Sequence, residues 1–266
     1  MKDQAAELRR LTVRRAAPFV PVSRGTSAVV IGSGKGGVGK SVIAALLAAA
    51  LARAGHRVLL FDGAQHQGNL HLLLGTPPAA GLDGALSGTV APADLVTLIG
   101  DGLALLPAES GAEAVYGLPP VDRARLHHRL TAIYDDYDTV VVDTGQGIDG
   151  VVRCVFERCA RLVVVTAPEP AALSDAYALI KITRMEVPAL HVDLLVNRTA
   201  DDAEGRVVFE RLETAVRRFL RRELHYLGAI PESAEIRAAV QRPGTLQALR
   251  VPAVDAVAHR LVGALT

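Results

Sequence analysis

Short apolar runs recur along the chain at 28–31, 57–61, 103–106, 139–142, 162–166, 192–196 and 226–230, each the length of a buried strand. Stretches of helical period lie at 40–54, 121–134, 171–185, 203–222 and 251–265. Strands that are apolar nearly throughout must be covered on both faces. The alternation therefore predicts an α/β fold, a doubly wound, mostly parallel sheet with helices on both faces. The alanines of 44–52 suit a helix packed closely on that sheet. Residues 1–25 stand apart: they are basic and end in Pro18, Pro21 and Gly25, a linker composition, with room for one short helix at 4–11. The expected organisation is an N-terminal extension, 1–25, followed by one domain, 26–266. No internal repeat or low-complexity tract interrupts it.

Composition narrows the picture. Half of the 266 residues are hydrophobic, enough for one sizeable core. A formal net charge of +1 gives no general pull toward nucleic acid or anionic membrane. Cys154 and Cys159, five apart, fit neither a CxxC redox pair nor a zinc-ligand spacing, and read as buried thiols in a reducing compartment. The histidines, His66 and His71 included, show no zinc-ligand spacing, so no zinc site is expected. The charged N-terminus lacks a following apolar segment. The apolar run 42–52 is too short for a membrane span, which needs about 20 residues. A soluble, cytoplasmic protein is expected.

In open parallel sheets, ligands sit beyond the carboxyl ends of the strands. After the first strand comes Gly32-Ser33-Gly34-Lys35-Gly36-Gly37-Val38-Gly39-Lys40-Ser41. From Gly34 it fits G-x-x-x-x-G-K-[ST], between a strand and a helix, which is the context of a phosphate loop. Glycines let backbone N–H groups turn inward onto phosphate oxygens, and the helix start adds a favourable dipole. Lys40 is expected on the β/γ-phosphates and Ser41 on Mg²⁺. Val42 completes the segment. Asp143 ends the fourth of the predicted strands and opens Asp143-Thr144-Gly145-Gln146-Gly147, where a carboxylate can hold the metal's water shell and the glycines permit a switch loop. Asn197 follows the sixth run; its amide can both donate to and accept from an adenine edge, or simply cap the strand end. Pro231, after the last run, is expected as a further wall of the base pocket.

Lys35 is the unusual feature. With this second lysine, GKGGVGKS resembles the deviant Walker A ATPases, the MinD/ParA group. The resemblance implies ATP or ADP with Mg²⁺ as ligand. It also implies an ATP-dependent sandwich dimer in which Lys35 reaches the partner's nucleotide, and a base contact for Asn197. The family run after the second strand reads D-A-D-L-G-L-G-N. Aligned without a gap on Asp62 and Asn69, it puts the metal-side aspartate at Asp62 and the water-orienting aspartate at Ala64. A methyl group cannot accept a hydrogen bond from water, so hydrolysis is expected to be weak while binding is retained. Gln65, His66, Gln67 and Gln146 are the polar neighbours that could substitute.

The stretch 165–181 and Val142-Asp143-Thr144-Gly145 resemble the flagellar branch, FlhG (FleN). Asp3-Gln4-Ala5-Ala6-Glu7-Leu8-Arg9 fits D-Q-A-x-x-L-R, the segment by which that branch engages an FlhF-type GTPase. The resemblance thus implies a switch in flagellar number or placement. Its partners would be that GTPase, through residues 3–9, and flagellar C-ring or transcription-regulator proteins, with possible recruitment to the cell pole or membrane. The apolar stripe Val254, Val257, Ala258, Leu261, Val262 and Leu265 lacks aromatic anchors and has one strong cation, Arg260. It reads as a core helix, with membrane contact weak or absent. Arg217, Arg218, Arg221 and Arg222 are expected at helical spacing on one solvated side, and DNA is not expected as a partner. Two alternatives stand: a catalytically silent nucleotide-binding scaffold, favoured by Ala64, and a DNA-partition ATPase, disfavoured by the N-terminal segment and the near-neutral charge.

Overall fold

The computed structural model describes residues 26–63, 68–77, 84, 87–107, 121, 130–131, 133–145 and 161–265. The extension 1–25, the positions 64–67, the stretch 146–160 with both cysteines and most of the predicted helix 121–134 lie outside the described residues.

The described strands are β1 (Ser27–Gly32), β2 (Val58–Gly63), β3 (Thr97–Gly100), β4 (Leu103–Leu106), β5 (Thr139–Thr144), β6 (Arg161–Thr166), β7 (Val192–Thr199) and β8 (His225–Pro231). They form one sheet in the order β3-β4-β2-β5-β1-β6-β7-β8. Every pairing is parallel except β3 with β4. All the predicted strands are present. The sequence reading missed β3, an antiparallel edge strand whose burial alternates and whose Leu98 faces solvent. A search for continuous apolar runs does not detect alternation over four residues.

Two layers cover the sheet. On one face lie α1 (Lys40–Arg53), α2 (Leu70–Leu74), α5 (Ala234–Val240) and α6 (Pro252–Gly263); on the other lie α3 (Pro170–Glu186) and α4 (Asp202–Ala215). Helix α1 is buried almost all round. It packs against the sheet and against α6, which suits its run of small residues. Arg53 at its last turn pairs with Asp255 of α6 at 2.8 Å. The expected core role of the C-terminal stripe holds: Val254, Val257, Ala258 and Leu261 are buried, and Val262 and Leu265 pack against the same cluster. Among the described residues no helix is long and apolar enough to cross a membrane.

One expectation is corrected. The helix predicted at 203–222 leaves the α form after Ala215, continues as a wider π turn over Val216–Leu220, and stops at Arg221, whose φ of 52° is left-handed. Arg221 and Arg222 therefore lie beyond the helix and do not share a helical face with Arg217 and Arg218. A left-handed residue cannot continue a right-handed helix. Exposed Phe219, with the Arg218 guanidinium 5.2 Å from its ring centre, forms one wall of an apolar groove of about 530 Å³ between α3 and α4.

Candidate functional site

The chain steps from β1 to β2 on one side, returns to β5 between them, and then crosses β1 to β6 on the other side, so strand order reverses at β1. A doubly wound sheet opens its ligand crevice at such a point. The segment 33–39 leaves β1 there and runs into α1.

Three features of this loop follow from local packing. A Cβ at Gly34 would lie 2.1 Å from the Asp175 carbonyl oxygen of α3, so the loop passes against helix backbone and admits no side chain. Gly37 and Gly39 have φ of 82° and 90°, values that glycine adopts without strain. Gly39 also precedes α1 directly, leaving the helix's first N–H groups without a side-chain cap. Val38 is buried, Gly36 and Gly37 are exposed, and Ser41 and Val42 are half-buried at the start of α1.

Lys40 is 8 % exposed. Its ammonium donates to Asp143 Oδ1 and to the Thr144 carbonyl, both at the end of β5. The Ser41 hydroxyl bonds the same Asp143 carboxylate. Burial pushes the Asp143 carboxyl above its ordinary value, and the neighbouring Lys40 charge and hydrogen bonds from Lys40 and Ser41 oppose that shift. Asp62 and Asp143 are register partners on β2 and β5. Asp62 is buried, and its Oδ2 accepts from the Leu70 amide at 3.3 Å, tying the end of β2 to the start of α2. A Cβ at Gly68 would come within 2.7 Å of that oxygen, so the glycine leaves the carboxylate its space.

The structure thus brings Lys40, Ser41, Asp62 and Asp143 together on β2, β5 and the start of α1. A hydroxyl beside two buried carboxylates is a hard oxygen donor set of the kind Mg²⁺ takes. The glycine-bounded loop over uncapped helix N–H groups fits an anion. The residues present fit a magnesium nucleotide.

Lys35 stands apart at the surface, 39 % exposed, 3.9 Å from Glu169. Asn197 lies near the end of β7 and Pro231 ends the neighbouring β8, where the register pairs Asn197 with Ile230 and Thr199 with Pro231. The Asn197 side chain turns into the loop, and Nδ2 donates to the Val38 carbonyl at 2.8 Å. Sequence reading offered a base contact or a strand-end cap and missed this bond. No spacing signal links positions 159 residues apart. Ala64, Gln65, His66, Gln67 and Gln146 lie outside the described residues.

Residues 29–246 match the family pattern of the CobQ/CobB/MinD/ParA nucleotide binding domain. The antiactivator FleN of Pseudomonas aeruginosa is 35% identical over 214 residues, 80% of this chain and 76% of that protein. The flagellum site-determining protein YlxH of Helicobacter pylori is 32% identical over 272 residues, 100% of this chain and 92% of that protein. Among solved structures, the MinC:MinD cell division complex of Aquifex aeolicus matches with a TM-score of 0.71 at 25% identity, over 90% of this chain and 96% of that one. The septum site-determining protein MinD of Pyrococcus horikoshii, complexed with Mg-ADP, matches in fold with a TM-score of 0.66 at 19% identity, over 89% of this chain and 96% of that one.

Proposed function

The chain belongs to the CobQ/CobB/MinD/ParA nucleotide-binding family, on its flagellar FlhG/FleN branch, and on that premise we propose that it is an ATP-dependent dimerising switch that regulates flagellar number or placement. The observation that carries the reading is the convergence of Lys40 and Ser41 on the Asp143 carboxylate beneath a glycine loop. In this reading the 34–42 segment holds the phosphates, Lys40 moves from Asp143 onto them, and Ser41, Asp62 and Asp143 hold Mg²⁺. Asn197 and Pro231 border the adenine. ATP and ADP are the ligands.

Lys35 is the dimer lysine. Its pairing with Glu169 is long and exposed, and surface ion pairs of that kind contribute about 0–1 kcal/mol. It can therefore leave for a partner's nucleotide at little cost. Residues 3–9 engage an FlhF-type GTPase, and the protein works in the cytoplasm or peripherally at the cell pole. Hydrolysis is slow because Ala64 stands where the family's water-orienting aspartate would be. The same alanine favours a second reading, a silent nucleotide-binding scaffold of the same fold.

Light scattering after size exclusion tests the switch. A non-hydrolysable ATP analogue should convert monomer to dimer, and Lys35→Ala should prevent it; a wild type that stays monomeric at saturating analogue removes the dimer role. ATP turnover measured beside ATP binding separates the two readings. Ala64→Asp should raise a slow wild-type rate about tenfold to a hundredfold with little change in affinity. Turnover absent in both proteins favours the scaffold. A synthetic peptide of residues 1–20 should stimulate GTP hydrolysis by a cognate FlhF-type GTPase.

A further inference from the structure

We infer that Asn197 is a positioning residue for the phosphate loop, setting from β7 the direction in which the loop's N–H groups point. This rests on the nucleotide-binding reading above and adds to it a role distinct from any contact with the base.

A peptide bond is planar and almost always trans. The Val38 carbonyl and the Gly39 N–H belong to one peptide unit and point in opposite directions. Whatever holds that carbonyl therefore aims that N–H. The first intrahelical bond at the start of α1 runs from the Ile43 N–H to the Gly39 carbonyl, one residue later in the chain. The Val38 carbonyl is held instead by the Asn197 side-chain amide at 2.8 Å, with both residues buried. With the carbonyl turned outward to β7, the Gly39 N–H turns to the opposite side. Released, the unit could rotate and present its carbonyl oxygen to the bound anion, which would repel it.

Two further observations show that the contact is built. Gly39 has no room for a side chain on this side: a Cβ there would lie 2.5 Å from Asn197 Nδ2, so the amide occupies that space. At the other partner, β7 carries an irregularity directly after Asn197. The register shifts between Asn197 and Thr199, and Arg198 between them takes a left-handed φ of 59°. A bulge of this kind redirects the neighbouring side chain. A non-glycine residue at positive φ is held there by its surroundings.

A phosphate-only ligand separates this role from base recognition. Calorimetric titrations would use ATP·Mg²⁺ and tripolyphosphate·Mg²⁺ with the full-length wild type, Asn197→Ala and the isosteric Asn197→Asp, which places an acceptor against the Val38 carbonyl. Hydrogen exchange of the loop amides would be followed in the nucleotide-free proteins. Both substitutions should weaken tripolyphosphate binding about five- to tenfold, the worth of one buried hydrogen bond. They should speed exchange at 36–41 while amides of β1 and β5 keep their protection. The inference is overturned if ATP affinity falls but tripolyphosphate affinity and loop exchange do not change, since Asn197 would then touch only the base. Should Asn197→Ala unfold, with exchange faster in every strand, Asn197→Asp decides by the same two readouts. A wild type that binds neither ligand would end the nucleotide reading, and local loop exchange would then decide the tether alone.

Discussion

At the carboxyl ends of the strands Lys40 meets Asp143; at the amino ends, on the opposite side of the same sheet, Arg161, the first residue of β6, meets Asp193 near the start of β7, 3.4 Å apart. Both carboxylates are buried, and desolvation pushes both above the ordinary range against a basic neighbour. Around Asp193 the opposing charges are Arg161, then His225 and His191, whose rings lie 6.5 Å apart. By electrostatics alone the two ends look alike. They differ in backbone. Lys40 opens a helix behind a glycine loop, where N–H groups have no partner within the helix, whereas Arg161 and Asp193 bind neighbouring strands to each other. A perturbed carboxylate therefore marks a candidate site only where the backbone also leaves donors for a ligand.

The comparison breaks first at its strongest point. Lys40→Ala should weaken ATP·Mg²⁺ binding at least about a hundredfold while circular dichroism shows an intact fold, because a charge-assisted phosphate contact is lost. Unchanged calorimetric affinity in the folded variant would remove the site assignment. At the other end, Arg161→Met should lower stability to urea by about 2–4 kcal/mol by leaving Asp193 without its cation. ATP affinity should stay within about twofold of wild type. If it fell as far as in Lys40→Ala, the two ends would be one coupled network.

The pH dependence sharpens the contrast. A carboxyl with a raised pKa in the folded state binds its proton more tightly there than in the unfolded chain. Its contribution to stability is fully present below the ordinary carboxylate range and is lost as pH rises through the raised value. Denaturation between about pH 4 and neutrality should show this loss in the wild type, and Asp193→Asn should remove that part of the slope. An identical slope in the variant would acquit Asp193. The smallest effect is expected on the strand that joins the two ends. Arg198→Gly should relieve the left-handed strain at the end of β7 and change stability by about 1 kcal/mol or less, since glycine's greater freedom when unfolded offsets part of the gain. A thermal unfolding scan measures it. A large destabilisation would mean that the Arg198 side chain, not the bulge, holds this end.

Much of this was legible in advance. The strands of the parallel core announce themselves because each is buried on both faces and so apolar at nearly every position. The glycine loop is legible because its pattern is local: glycines, lysines and a serine lie within ten consecutive residues. Edge strand β3 and the π turn after Ala215 were not. The first is half-exposed and only four residues long, and the second is a change in helical winding that the pattern 203–222 does not encode.

The sequence by itself determined the layered α/β fold, the glycine loop with Lys35, Lys40 and Ser41, the aspartates at strand ends and the alanine at position 64. Each depends on periodicity or on neighbours in the chain. Only the tertiary structure decided that Lys40 and Ser41 converge on Asp143, that Gly34 lies against the backbone of α3, and that Asn197 grips the Val38 carbonyl. Those contacts join residues more than a hundred positions apart. Their geometry is set by strand order and register, which arise from packing the whole sheet and leave no mark in the spacing of residues along the chain.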